Sequence, residues 1–241
     1  MIMKTYMDID IYPPFAGFSM AGIRFLARLK KNNNRQWFSK HKSEYEDSVK
    51  LPMQSLIATL KSLVAKFAPE FDLHPKRSIF RIYRDTRFSK DKTPYKTHVA
   101  AVFHLKGSWQ ESAGFYIHIE PGGVYLGGGI YMPDGSQLKK IRAAIAEKSD
   151  EFLSIIQSSA FKKRFGQVEG DKLSRCPAGY PADHPMVEWL KFKQYYTSVE
   201  WSEKECYSVE FPKKIALVYK ELIPLIRFLN EALGKRPSTN R

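Results

Sequence analysis

The spacing of apolar residues switches twice along this chain, and the switch limits the fold more than any single motif. Leu56, Ile57, Leu60, Leu63, Val64 and Phe67 recur at three and four positions, which predicts a helix with one buried stripe. Upstream, Ser19 is placed to cap a first helix running to about Lys31. The Asn32-Asn33-Asn34 run ends it, a second helical stretch begins near Arg35, and Pro52 either kinks that stretch or opens a new helix. From Ser78 to Tyr131 the period falls to two. Strands are predicted over about 78–83, 97–105, 114–120 and 124–131, with Pro121-Gly122-Gly123 as a hairpin turn. Helical spacing returns near Ser136 with Leu138, Ile141 and Ile145. A helix over about 183–192, with Asp183 as its cap, a strand over about 195–201 and a helix over about 212–233 with a kink at Pro224 follow. Helices first, neighbouring strands in the middle and helices last predict an α+β fold. Its antiparallel sheet spans about 78–131 plus the later strand and is covered by helices on one face.

No repeat or low-complexity linker divides the 241 residues, so one domain over 1–241 is expected, with a short polar tail at 234–241. Hydrophobic residues make up 43% and aromatics 14%, enough for a packed core and incompatible with a wholly disordered chain. No run approaches the ~18 uncharged apolar residues of a membrane helix. The opening MIMKTYMDIDIYPP lacks the apolar segment of a secretory signal. Cys176 and Cys206 stand too far apart in sequence to form a metal knuckle or a disulfide scaffold. A cytoplasmic protein with no membrane partner is the expectation.

The formal charge of +14 is unevenly spread: residues 76–106 carry nine basic residues against Asp85 and Asp91. At their centre lies Arg84-Asp85-Thr86-Arg87-Phe88-Ser89-Lys90-Asp91-Lys92-Thr93-Pro94-Tyr95-Lys96. Guanidinium forks and mobile ammonium groups together suit phosphate or carboxylate. Arg84, Arg87, Lys90, Lys92, Tyr95 and Lys96 are therefore the candidate ligand-binding residues, with Phe88 and Tyr95 expected to pin the loop to the body. The alternative is a solvated loop in which the two aspartates neutralise neighbouring arginines.

The segments RIYRDTRFSKDKTPYKTH, LKKNNNRQWFSKHKSEYEDSVKLP, GFYIHIEPGGVYLGGGIYMP and RCPAGYPADHPMVEWLKFK resemble Domain of Unknown Function 2461, an uncharacterised bacterial and fungal family. The likeness runs from about Phe15 to Phe228. It implies a single domain of that family and brings no established activity, cofactor or catalytic residue.

Alternation over 114–120 puts Phe115, Ile117 and Ile119 on one face and Tyr116, His118 and Glu120 on the other. With a two-residue turn, Tyr125, Gly127, Gly129 and Tyr131 join the polar side. Gly127 and Gly129 then admit a ligand or a second backbone, or mark a bulge. His118 and Glu120 are the candidate catalytic pair, and Glu120 should raise the His118 pKa above its ordinary ~6.5. No metal motif is present. The alternative is a site shared by His98, His104, His118 and Glu120, since His98 and His104 lie on one face of the neighbouring strand. Cys176, beside Arg175, has only His184 as a nearby base and reads as an ordinary thiol. The motifs name no cofactor.

Three functions compete. One is a protein, with or without catalysis, that holds an anionic small molecule under the basic loop. The second is a nucleic-acid-binding module that uses charge and aromatic stacking. The third is an interaction protein whose charge serves solubility.

Overall fold

The computed structural model describes residues 12–108 and 111–235. Helix α1 (Met20–Lys31) starts at Ser19, whose hydroxyl accepts from the Gly22 amide at 3.1 Å, and buries Ile23, Phe25, Leu26 and Leu29. Asn34 caps α2 (Arg35–Lys40) in the same way, through the Trp37 amide. Helix α3 (Lys42–Tyr45) runs through a π-helical turn, Glu46–Lys50, into α4 (Leu51–Val64). Pro52 falls in the first turn of α4, directly after that π-helical turn.

One antiparallel sheet follows, in the order β1 (Phe71–Asp72), β2 (Val99–Leu105), β3 (Gly114–Glu120), β4 (Gly123–Ile130), β5 (Tyr195–Ser202). The fold is α+β, as the periodicity predicts. Glu120 pairs with Gly123, so the hairpin turn has two residues, Pro121 and Gly122, and Gly122 takes a positive φ of 102°. That turn fixes the parity of both strands. Val99, Ala101, Phe103, Phe115, Ile117, Ile119, Val124, Leu126 and Tyr195 all face the core and are buried.

After β4, Asp134 forms a capping box with Gln137 at the start of α5 (Gly135–Glu147). Helices α6 (Ser149–Ile156) and α7 (Ser159–Phe165) were not anticipated; each is short, and its apolar residues give under two repeats of a pattern. Helix α9 (Phe211–Ala232) lies against the apolar side of β4, with α4 packed on it and α5, α6 and α7 along its flank. Pro224 sits inside it, yet both ends of the helix stay anchored by fully buried side chains such as Tyr219 and Leu229.

Two expected elements are absent or shortened. Residues 78–83 form bridges, not a strand: Ile79 meets Ala101, and Tyr83 then turns away to meet Tyr95. β1 already holds part of that edge of β2, at Leu105 and His104. The helix expected over 183–192 shrinks to α8 (Val187–Leu190), whose cap position is Met186 rather than Asp183. Pro185 disfavours helical backbone at His184, so the helix cannot begin at Asp183. The N-terminal residues before 12, and the tail from 236, lie outside the described residues. No helix among the described residues is long and apolar enough to cross a membrane.

Candidate functional site

The face of the sheet opposite α9 is polar and half-buried. β2 presents Ala100 opposite His118 and Val102 opposite Tyr116; β4 presents Tyr125 opposite His118; β5 presents Glu200 opposite Tyr125. His98 immediately precedes β2. Because Val99 pairs with Ile119, His98 comes level with Glu120.

These side chains touch. The His98 and His118 rings stack with centroids 4.0 Å apart, and the Tyr125 ring meets His118 edge-on at 5.2 Å. The Tyr116 hydroxyl lies 3.1 Å from His118 Nδ1, and His118 Nε2 lies 3.6 Å from Glu120 Oε2. The His118 side chain is only 16% exposed, and its Nε2 is buried without a hydrogen-bond partner among the described residues. The Tyr125 hydroxyl faces the Glu200 and Glu120 carboxylates, and hydrogen bonding to Glu200 is the main cause that raises its pKa.

Burial overrides charge at the histidine pair. Burial pushes His118 down to about 4, against the expectation that Glu120 would raise it. The imidazolium would lose more hydration in this setting than one carboxylate restores. His98 is likewise held at about 4, by burial first and then by His118 and Lys96. Both rings are therefore neutral at physiological pH, and the 3.6 Å approach of His118 to Glu120 is not an ion pair.

His104 does not join this group. It lies at the other end of β2, about 20 Å away at strand rise, with Nδ1 3.1 Å from the Ser112 carbonyl. Burial lowers its pKa too.

The basic loop is organised by its own aspartates. Arg84 binds Asp91 and the Thr93 hydroxyl, and Arg87 donates to both oxygens of Asp85, at 3.0 and 2.8 Å. The Arg87 hydrogen bonds hold Asp85 at about 2; the Thr93 amide and then Arg84 hold Asp91 at about 2. Lys92 donates to the Thr86 carbonyl, and Lys90 is exposed. Of the two expected anchors, only Tyr95 serves: it is 5% exposed and stacks on Phe38 at 4.2 Å. Phe88 is 94% exposed and protrudes from the loop that the Asp–Arg pairs close.

Lys96 is different. It is half-buried, its ammonium lies 4.9 Å from the centre of the Phe80 ring, and burial and then Arg81 lower its pKa. Phe80 in turn meets Tyr116 at 6.4 Å, which carries Lys96 toward the histidine pair. Neither Arg81 nor Lys96 forms an ion pair among the described residues.

Gly127 and Gly129 open no space for a ligand. A Cβ at Gly127 would stand 2.6 Å from the Thr197 carbonyl oxygen, and at Gly129 2.2 Å from that of Tyr195. The backbone of β5 occupies what the side chains leave, which selects the close-backbone alternative. Arg81, Phe80 and Glu200 were not singled out in the sequence. The polar alternation Tyr196, Ser198, Glu200 was visible there, but the pairing of β5 with a strand some seventy residues earlier was not.

A family model described as conserved hypothetical protein (DUF2461) matches residues 21–228. No curated protein and no solved structure matches the chain.

Proposed function

The chain belongs to this family of conserved hypothetical proteins, and we propose that it binds an anionic small molecule, bearing phosphate or carboxylate, at the polar face beside the basic loop. The observation that carries the reading is the pair Arg81 and Lys96. Two cations that repel each other, one of them half-buried, stand without an ion-pair partner among the described residues, next to neutral rings. An anion between them removes that repulsion. Arg84 and Arg87 shape the loop through their aspartates, while Lys90 and Lys92 add field at its rim. Tyr95 supports the loop from behind. His118 and Glu120 face the bound anion and are the groups on which any chemistry would turn. The whole chain acts as one domain in this reading, since one contiguous buried cluster joins the helices to the sheet. The two free cysteines fit a cytoplasmic setting.

The test is a thermal-shift and calorimetry screen of phosphates, nucleotides, carboxylates and short oligonucleotides at two salt concentrations. A small anion is expected to bind. Lys96→Ala should weaken it about 10- to 100-fold, the worth of a charge-assisted hydrogen bond. Lys139→Ala, on exposed α5, should change nothing. Equal losses in both variants would leave only general electrostatics and overturn the reading.

A second reading rests on Phe88. A ring 94% exposed, with the Arg87 guanidinium 5.7 Å from its centre and Tyr83 52% exposed nearby in sequence, offers a stacking platform for single-stranded nucleic acid. Preference for oligonucleotides, a steep salt dependence and loss on Phe88→Ala would select it.

A further inference from the structure

We propose that His98, His118 and Glu120 bind a divalent transition-metal ion of the zinc, cobalt or iron(II) kind, leaving coordination positions open toward the polar face. One ligand atom from each residue lies within 4.8 Å of the other two. They come from the start of β2 and from alternate positions of β3, so the sheet register itself brings them together.

His118 is the centre of the argument. Its Nδ1 is engaged by the Tyr116 hydroxyl at 3.1 Å, which leaves Nε2 as the ring's remaining site. That nitrogen is buried and has no hydrogen-bond partner among the described residues. Native interiors leave few such atoms unmatched, and a bound ion is one of the accepted reasons. A metal would take the lone pair and satisfy it. The tyrosine contact is the kind of outer hydrogen bond that orients a ligating histidine. Glu120 has Tyr125 beside it, which pairs with Glu200 on the next strand.

The donor set selects the ion. Two imidazole nitrogens and one carboxylate suit borderline transition metals, whereas calcium and magnesium take oxygen. Three protein ligands are also the count of an open catalytic site rather than of a closed structural one. Bonds of about 2.0–2.2 Å place neighbouring ligand atoms roughly 3–3.5 Å apart, so separations of up to 4.8 Å must close by as much as roughly 1–2 Å. His98 is the one to move. It sits in a bend before β2, outside the strand ladder, and its ring is stacked 26° from the His118 plane, so it is the ligand whose ring must turn. A dication with one carboxylate keeps a net positive charge beside Lys96 and Arg81, so the open positions favour an anion. The metal site nevertheless rests on atoms other than those two cations, and the two readings can fail separately.

The experiment titrates the chelator-stripped full chain with cobalt(II), followed by visible absorption, and with zinc(II), followed by calorimetry. One ion per chain and intense cobalt d–d bands are expected. His118→Gln and Glu120→Gln should abolish the bands, with circular dichroism confirming the fold. Tyr116→Phe should weaken binding about 10- to 100-fold. His104→Ala and Lys96→Ala should retain one ion per chain, so that Lys96→Ala separates loss of the anion from loss of the metal. A wild-type chain that takes up no cobalt overturns the proposal whatever the variants do. So does binding that survives replacement of all three ligands together.

Discussion

Asn33 shows how much one side chain can decide. Its amide accepts from the Tyr95 N–H at 3.0 Å and donates to the Tyr95 carbonyl at 2.9 Å, as a neighbouring strand would. Asn230 does the same for Ala113, at 2.8 and 3.1 Å. Asn33 thereby ties the returning limb of the basic loop to the α1–α2 turn and sets the Tyr95 ring on Phe38. Asn33→Ala leaves two backbone groups without their partner, for a loss of about 2 kcal/mol. Thermal unfolding should fall by about 4–8 °C. Asn33→Asp, which keeps only the acceptor, should lie between; no change in either would show that water replaces the amide freely. In the sequence the asparagine run ends the first helix, and Asn32 does lie at the end of α1 while Asn34 caps α2. The second role of Asn33 is invisible there, because its partner is 62 residues away.

At the scale of elements, β4 is shaped by two adjacent glycines that do different work. Gly128 faces the core, where a Cβ would stand 2.8 Å from Ile226 Cδ1 and 3.1 Å from Leu222 Cδ1 on α9. Gly129 has a φ of +132° and meets the Tyr195 backbone. The first is a packing limit and the second a backbone limit, so trimming a neighbour should help only the first. Gly128→Ala should cost about 1–3 kcal/mol by overpacking, and Ile226→Val should recover part of it, measured by urea unfolding. Gly129→Ala should be more damaging and gain nothing from Ile226→Val. Equal rescue of both would mean that α9, not β5, sets the strand's shape.

For the molecule as a whole, the buried cluster runs from Phe15 through the helices and across the sheet. Cys206 lies inside it, fully buried in the 3₁₀ turn Glu203–Tyr207 that follows β5, with its carbonyl accepting from the Phe18 amide at 2.9 Å. Burial pushes its thiol up to about 12, whereas Cys176 is half-buried. Native protein at pH 8 should therefore lose one thiol, Cys176, to an alkylating reagent. Cys206 should react only as fast as the chain unfolds globally. Labelling of Cys206 well below the unfolding midpoint would show that the turn opens by itself.

What the sequence determined by itself is local and periodic. The period of two over the β3–β4 hairpin, the Pro-Gly turn and the Ser19 and Asn34 caps act within a few residues, so α1, the hairpin, its two faces and the long C-terminal helix were all legible. So was the accumulation of charge around residues 76–106. Tertiary structure decided the rest, because it turned on which distant groups become neighbours and how much water they lose. It exposed Phe88, separated His104 from His98, and filled the glycine gap with β5. It also held His98 and His118 neutral, since desolvation depends on the packed surroundings and leaves no mark in the order of residues.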